Sequence, residues 1–176
     1  MSVEAKQRRA AFVRLTGVSF DDWMLALHVL SAFAMVAGMT LFWVLVVAGW
    51  RTDTPADILR MGPLSKVAGA TIGIGMGGTI VLGIFLAFSI GGYDIWDGWI
   101  VAAIVLWIAA AALGQRASAA FEPPVKKAQE LQAAGQTGPS AELLALNRTT
   151  RGLVLQVLVS IVILLIVIDM IWKPGA

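Results

Sequence analysis

Residues 153–171 read LVLQVLVSIVILLIVIDMI, a run of 19 positions in which Asp169, close to the end, is the only ionisable side chain. At a rise of 1.5 Å per residue, a helix of this length covers about 28 Å, close to the hydrocarbon thickness of a bilayer. The run lacks the polar alternation that the wall of a membrane β-barrel requires. It therefore predicts a membrane-spanning helix.

Three further apolar stretches have the same character, and they occupy residues 23–50, 64–90 and 96–113. The whole chain agrees with them: of its 176 residues 59% are hydrophobic and 14% are charged, and the mean hydropathy is +0.83. These values exceed what a soluble globule of this size carries, so a water-soluble enzyme is excluded. The sequence predicts an all-α polytopic membrane protein, with an N-terminal tail over residues 1–22 and a transmembrane domain of four antiparallel helices over residues 23–176.

Short links join the first three spans. Residues 51–63 are polar and contain Pro55 and Pro63, which predicts a loop. Gly91-Gly92 is expected to close the second helix, before a tight acidic turn over residues 93–99. Links this short require neighbouring helices to run antiparallel.

The longest polar segment lies between the third and fourth spans, at residues 116–151. Pro123-Pro124 can open a helix that Gly135 ends, and Pro139-Ser140 can open a second helix that runs into the fourth span. The segment therefore predicts an extramembrane helical hairpin and not a catalytic domain.

The basic residues are distributed unevenly between the two sides of a four-span chain. The hairpin side carries eight: Arg51, Arg60, Lys66, Arg116, Lys126, Lys127, Arg148 and Arg151. The other side carries five, namely Lys6, Arg8, Arg9, Arg14 and Lys173. The positive-inside rule thus predicts a cytoplasmic hairpin and both termini outside, although the basic N-terminal tail favours the opposite orientation. The first span is expected to be an uncleaved helix and not a signal peptide, which suits a bacterial inner membrane. With the hairpin inside, the formal glycosylation sequon at residues 147–149 is unused.

The chain has one histidine, His28, about 7 Å below the outer interface in the first span. Asp169 lies at a similar depth in the fourth span, so the two form an ionisable pair if these helices are neighbours. An ionisable residue inside a membrane indicates a proton path, a ligand site or a partner. Met24 shares the helix face of His28, and a thioether beside an imidazole suits copper. A second alternative is haem b, with His28 and Met76 as axial ligands.

The segment Gly73-Ile74-Gly75-Met76-Gly77-Gly78 matches the GxGxxG pattern of dinucleotide-binding sites. Such a site needs a preceding strand and water, and these glycines lie in the middle of a span. Gly69, Gly73 and Gly77 instead repeat every four residues, which predicts a helix-packing face. The helix that packs there belongs either to this chain or to another protein.

His28, followed by Ala37-Gly38 and Phe42, resembles the first helix of copper-resistance-D-like and HemJ-like membrane proteins. The end of the chain, at residues 170–175, is similar to that of uncharacterised four-helix integral membrane proteins. The resemblance implies copper passage, or haem and protoporphyrinogen oxidation, with His28 as the residue carried over. The basic residue that the haem-linked proteins have in their third helix is missing from residues 96–113, which argues against enzymatic activity.

Taken together, these features predict a non-catalytic accessory or structural subunit of a larger membrane assembly. Its expected partners are membrane lipids and either other membrane subunits or further copies of the chain, and nucleic acid is not among them. The alternative is a haem- or copper-binding membrane protein that uses His28 near the outer face. The chain has no cysteine, which excludes thiolate metal sites and cysteine nucleophiles.

Overall fold

The computed structural model describes residues 17–89 and 94–173, and all regular structure in these ranges is helical. The helices are α1 (Phe20–Gly49), α2 (Pro55–Ser89), α3 (Gly98–Ala120), α4 (Glu122–Ala133), α5 (Ala141–Asn147) and α6 (Thr150–Trp172). Four helical stretches, carried by α1, α2, α3 and α6, are long and apolar enough to cross a membrane. The predicted all-helical chain with four helices able to span a membrane is thereby confirmed. The N-terminal tail up to residue 16 and the helix end at Gly91-Gly92 lie outside the described residues.

A capping box at Ser19 starts the first long helix. The Ser19 hydroxyl accepts a hydrogen bond from the backbone N–H of Asp22 at 3.1 Å, and the Asp22 carboxylate accepts one from the backbone N–H of Ser19 at 2.8 Å. This exchange satisfies two N–H groups that the start of a helix leaves without partners. It explains why α1 begins at Phe20, before the apolar stretch that starts at Trp23.

The prediction of a loop over residues 51–63 is wrong. Only residues 50–54 connect the first two long helices, because α2 begins at Pro55 and continues through Pro63. Proline suits the first position of a helix, and Pro63 in the interior removes a single backbone hydrogen bond. At 1.5 Å per residue the 35 residues of α2 extend about 52 Å, so this helix is longer than a bilayer is thick.

The first two long helices run antiparallel and touch backbone to backbone. A Cβ atom added to Gly75 would overlap the backbone of Met35, and one added to Gly38 would lie 3.0 Å from the carbonyl oxygen of Ala68. Near the far end of the pair, the rings of Phe20 and Phe85 meet edge to face at 5.8 Å. Glycine is required at the two close contacts because any side chain would push the helices apart.

The helices α3 and α6 form a second antiparallel pair. Phe121, directly after α3, packs against Gly152 at the start of α6, and Lys173, directly after α6, lies over the ring of Trp99 near the start of α3. The core of this pair joins that of the first pair in one buried cluster. Its buried members are Met35, Met39, Ala110, Ala117, Val159, Ile163 and Ile166.

A smaller core forms where α2 extends past the long helices. Ile58 of α2, Ala128 of α4 and Leu143 of α5 are buried together there. As predicted, prolines lie in the first turn of α4, and Gly135 follows its end with a positive φ of 74°. The two short helices thus pack against each other and against the early part of α2.

The second short helix does not run into the last span, which corrects the sequence-based prediction. It ends at Asn147, and three groups at its two ends bind the turn between α1 and α2. The Asn147 amide donates to the carbonyl of Thr52 at 2.9 Å, the Ser140 N–H donates to the carbonyl of Asp53 at 2.9 Å, and Arg148 donates to the carbonyl of Trp50 at 3.3 Å. We call these three hydrogen bonds the turn clamp. Asn147 is buried within it, so the sequon has a structural role.

The two classes of glycine on α2 predict opposite effects of the same substitution. Gly75→Ala is expected to destabilise the protein by about 1–3 kcal/mol, because the added methyl group overlaps the α1 backbone. Gly73→Ala, where a Cβ would meet no atom within 4 Å, is expected to be neutral or to stabilise the helix by up to about 1 kcal/mol. Thermal unfolding of both variants in one detergent measures the difference, and equal melting temperatures would contradict the packing described here.

Candidate functional site

The side chain of His28 lies between the first two long helices. The imidazole packs on Gly83 of α2, where an added Cβ would lie 3.1 Å from the Cε1 atom of the ring, and it also lies close to the backbone of Thr79. The ring is about half-buried, and its Nδ1 atom is buried without a hydrogen-bond partner. Such a nitrogen keeps a free donor or acceptor position.

Asp169 is the other ionisable group that the sequence placed at this depth. It lies on α6, its exposed fraction is 8%, and its Oδ2 atom has no hydrogen-bond partner in the described part of the chain. Its backbone carbonyl accepts the N–H of Lys173 at 2.8 Å, which closes the last turn of the helix. A buried carboxylate oxygen without a partner is costly, and a membrane protein rarely retains one.

The structure does not bring His28 and Asp169 into an ion pair. His28 faces α2, whereas the helix of Asp169 packs mainly on α3. The contacts between α1 and α6 occur deeper, at Trp43 and Met39. Each of the two ionisable groups therefore has its own environment, and both retain one buried atom without a partner.

The donor atoms near His28 are few. Met24 precedes it by one helical turn and is partly buried, so one imidazole and one thioether lie on the same side of α1. No group of three or more histidine or acidic side chains suited to a metal ion occurs within residues 17–89 and 94–173. Two soft donors fit part of a Cu(I) site, and the remaining ligands would have to come from outside this helix.

Haem with His28 and Met76 as axial ligands does not fit this arrangement. Met76 precedes Gly83, the residue under the imidazole, by seven positions, or about 10 Å along α2. Its side chain packs against the buried cluster, and its carbonyl accepts a hydrogen bond from Trp107 at 3.0 Å. Axial ligands must face each other across one iron. The two side chains are at different heights of a closely packed helix pair.

The predicted packing face of Gly69, Gly73 and Gly77 is open. All three glycines are exposed, and a Cβ built at each would meet no atom within 4 Å. The glycines that contact α1 are others, and among them Gly78 packs on the side chain of Ser31. The face is thus not used within the described chain, and packing against another protein stays a prediction.

Hydrogen bonds between the two helix pairs were not predicted from the sequence. The buried amide of Gln156 donates to the sulfur of Met39 at 2.8 Å, and the indole of Trp43 donates to the hydroxyl of Ser160 at 2.9 Å. The sequence contains a signal for them, because two polar residues one helical turn apart, at positions 156 and 160, interrupt an otherwise apolar run. Such contacts hold neighbouring helices together in lipid.

Most other hydroxyl groups in the long helices bond to their own backbone. Each donates to a carbonyl three or four residues earlier: Ser31 to Leu27, Thr40 to Val36, Thr71 to Val67, Thr79 to Met76 and Ser160 to Gln156. Serine and threonine commonly satisfy themselves in this way inside helices. These groups do not line a polar path between the two ends of the helices.

Comparisons of the chain with protein-family models, with curated proteins and with solved structures give no match. The resemblance to copper- and haem-linked membrane proteins therefore stays a prediction from a few residues. The geometry of the described residues is what a proposal of function has to rest on.

Proposed function

We propose that this chain is a non-catalytic integral membrane protein that serves as an accessory subunit of a larger membrane assembly. The observation that carries the proposal is the open glycine face of α2, formed by Gly69, Gly73 and Gly77. On this face the backbone is exposed over two helical turns and no part of the described chain covers it. The occupant that we propose is a membrane-spanning helix of another protein.

The shape of the face favours a helix over lipid. Within this chain, α1 and α2 already use glycines for backbone contact at Gly38 and Gly75. The open face offers the same small-residue surface on the same helix, bordered by Ile74, which is 71% exposed. In a bilayer, small residues at four-residue spacing allow a second helix to approach closely and gain dispersion energy. Lipid chains gain no comparable advantage from a glycine.

The polar groups support a role without catalysis. Most hydroxyls in the long helices are bound to their own backbone, and Gln156 is bound to Met39. Catalysis and ion transport need polar or ionisable groups that converge on one cavity. His28 and Asp169 face different neighbours. A packing role requires only the surface of the helices.

Filling the open face predicts loss of the assembly without loss of the fold. Gly73→Ile is expected to abolish association with the partner helix, because the branched side chain prevents backbone contact, while the melting temperature of the isolated chain stays unchanged. The matched control is Gly114→Ile on α3, a glycine that also has open space around it. Native gels and mass spectrometry of membranes solubilised at native expression level measure the complex.

Two results of this experiment would contradict the proposal. The first is a wild-type chain that migrates alone, and the second is equal loss of the complex in both variants. Because the chain has no cysteine, a single cysteine introduced at the exposed Ala70 reports directly on the neighbour of this face. If this cysteine cross-links to a second copy of the chain, the occupant of the face is a homo-oligomer partner and not a helix of another protein.

For the arrangement in the membrane, we propose a four-helix bundle in a bacterial inner membrane, with the hairpin of α4 and α5 in the cytoplasm and both termini outside. The support is the excess of basic residues on the hairpin side, eight against five. Membrane-impermeant thiol reagents are expected to label Lys173→Cys from the outside of intact cells and Lys126→Cys only after lysis. Labelling of the second variant in intact cells would reverse the orientation.

A second candidate function is favoured by one observation, the buried Nδ1 atom of His28 without a partner. It is the binding of copper, or of haem through ligands other than Met76, near the outer face. Under this candidate, the purified protein contains stoichiometric copper or shows a Soret band. His28→Ala removes the signal and Met61→Leu, in the early part of α2, keeps it. A colourless, metal-free wild-type protein would eliminate the candidate.

A further inference from the structure

Two grooves lie side by side where α6 begins. One, of about 470 Å³, is lined by Arg116, Thr150, Arg151, Val154 and Leu155. The other, of about 520 Å³, is lined by Val47, Trp50, Arg51, Arg148, Thr150 and Leu153. Thr150 borders both, so together the grooves surround the first turn of α6. Each combines two arginines with apolar side chains from the long helices.

None of the four arginines forms an ion pair with a carboxylate of the described residues. The ion pairs of the described residues on this side are Arg60 with Asp57, Lys126 with Glu122, and Lys127 with both Glu130 and Glu142. Arg148 donates only to the backbone carbonyl of Trp50. Four of the five acidic residues of the hairpin side are thus engaged outside the grooves. The positive charge at the grooves is left for an anion from outside the chain.

The grooves lie at the height of a membrane surface. From Gly98, the start of α3, to Arg116 there are 18 residue steps, which cover about 27 Å of helix, nearly the thickness of the hydrocarbon core. From Arg151 to Asp169 the distance along α6 is the same. The arginines therefore reach the headgroup level, while Val154 and Leu155 of the same groove continue into the hydrocarbon region.

The start of α6 adds further donors. Thr149, the residue before the helix, makes no capping hydrogen bond with its side chain, so the first backbone N–H groups of α6 are not satisfied by it. The beginning of a helix also carries a partial positive charge. In this place it adds to the arginines on either side, and its N–H groups are hydrogen-bond donors for phosphate oxygens.

We infer that the two grooves bind the phosphate headgroups of anionic glycerophospholipids, with the guanidinium groups of Arg116 and Arg151 in one groove and of Arg51 and Arg148 in the other. Guanidinium groups bind phosphate oxygens in a bidentate geometry. The apolar lining of Val47, Leu153 and Val154 receives the upper part of the acyl chains. This inference holds for either orientation of the chain in the membrane, and it does not depend on the accessory role.

The test compares anionic and neutral lipids on the same purified protein. Native mass spectrometry from detergent, with phosphatidylglycerol and phosphatidylcholine supplied at equal concentration, is expected to show preferential retention of phosphatidylglycerol. Arg116→Gln combined with Arg151→Gln is expected to weaken this binding about tenfold or more, since each basic residue near a membrane surface contributes measurably to anionic lipid binding. The added lipid is also expected to raise the melting temperature of the wild type more than that of the variant.

The matched control removes the same charge elsewhere on the same side. Arg60→Gln combined with Lys126→Gln changes two exposed, ion-paired residues outside the grooves and is expected to keep the lipid preference. Arg116→Lys combined with Arg151→Lys keeps the charge but loses the planar donors, so it is expected to fall between the wild type and the glutamine variant. This variant also guards against loss of binding through misfolding.

Three results would overturn the inference. The first is a wild-type protein without preference for phosphatidylglycerol. The second is an equal loss of binding in the control, which would assign the effect to net charge alone. The third is displacement of the lipid from the wild type by inorganic phosphate at the same concentration, which would assign the grooves to free phosphate.

Discussion

The direct contact between the backbones of α1 and α2 is the constraint on which the rest of the structure depends. Lipid gives apolar helices no hydrophobic reason to associate, so their packing relies on dispersion and hydrogen bonds at short range. Gly38 and Gly75 allow this short distance because they place no side chain between the backbones of the two helices. The contact fixes the register of the pair. It therefore also fixes which residue lies beneath His28 and how far α2 extends beyond its neighbours.

The extension of α2 organises the charges of the hairpin side. Ile58 on this extension packs with Ala128 and Leu143, which holds the two short helices over one end of the long ones. The carboxylates of the short helices then pair with Lys126 and Lys127. The arginines nearest the bilayer form no ion pair with a carboxylate of the described residues. Counting the basic residues on each side of the membrane shows only that the hairpin side has more of them. The fold shows where on that side the unpaired arginines lie.

The sequence predicted the number and position of the long helices because a span needs only length and apolar composition. It failed at Pro63, where the helix continues although an interior proline loses a backbone hydrogen bond and crowds the carbonyl four residues earlier. It also could not choose among glycines. Gly73 and Gly75 lie two positions apart in the same glycine-rich run, and only the rotation of α2 against α1 decides which of them makes contact.

For the candidate site too, the sequence predicted one property of the side chains and not another. The depth of His28 and of Asp169 follows from counting residues along each helix. Their direction depends on which helices are neighbours, and here α1 pairs with α2 while α6 pairs with α3. The sequence contains no local signal for that choice. The cross-pair hydrogen bond from Gln156 to Met39 is equally non-local, because the two residues are 117 positions apart.

The turn clamp has a consequence for how the protein is made. Its acceptors are carbonyl groups near Thr52, and the donor amide of Asn147 follows 95 positions later in the chain. During synthesis the first two helices leave the ribosome long before that amide exists. The turn between them is therefore secured only after residue 147 has been translated. Assembly in the membrane thus begins with α1 and α2 joined by a turn that lacks the hydrogen bonds of the turn clamp. Later residues of the same chain then supply the donors for these bonds.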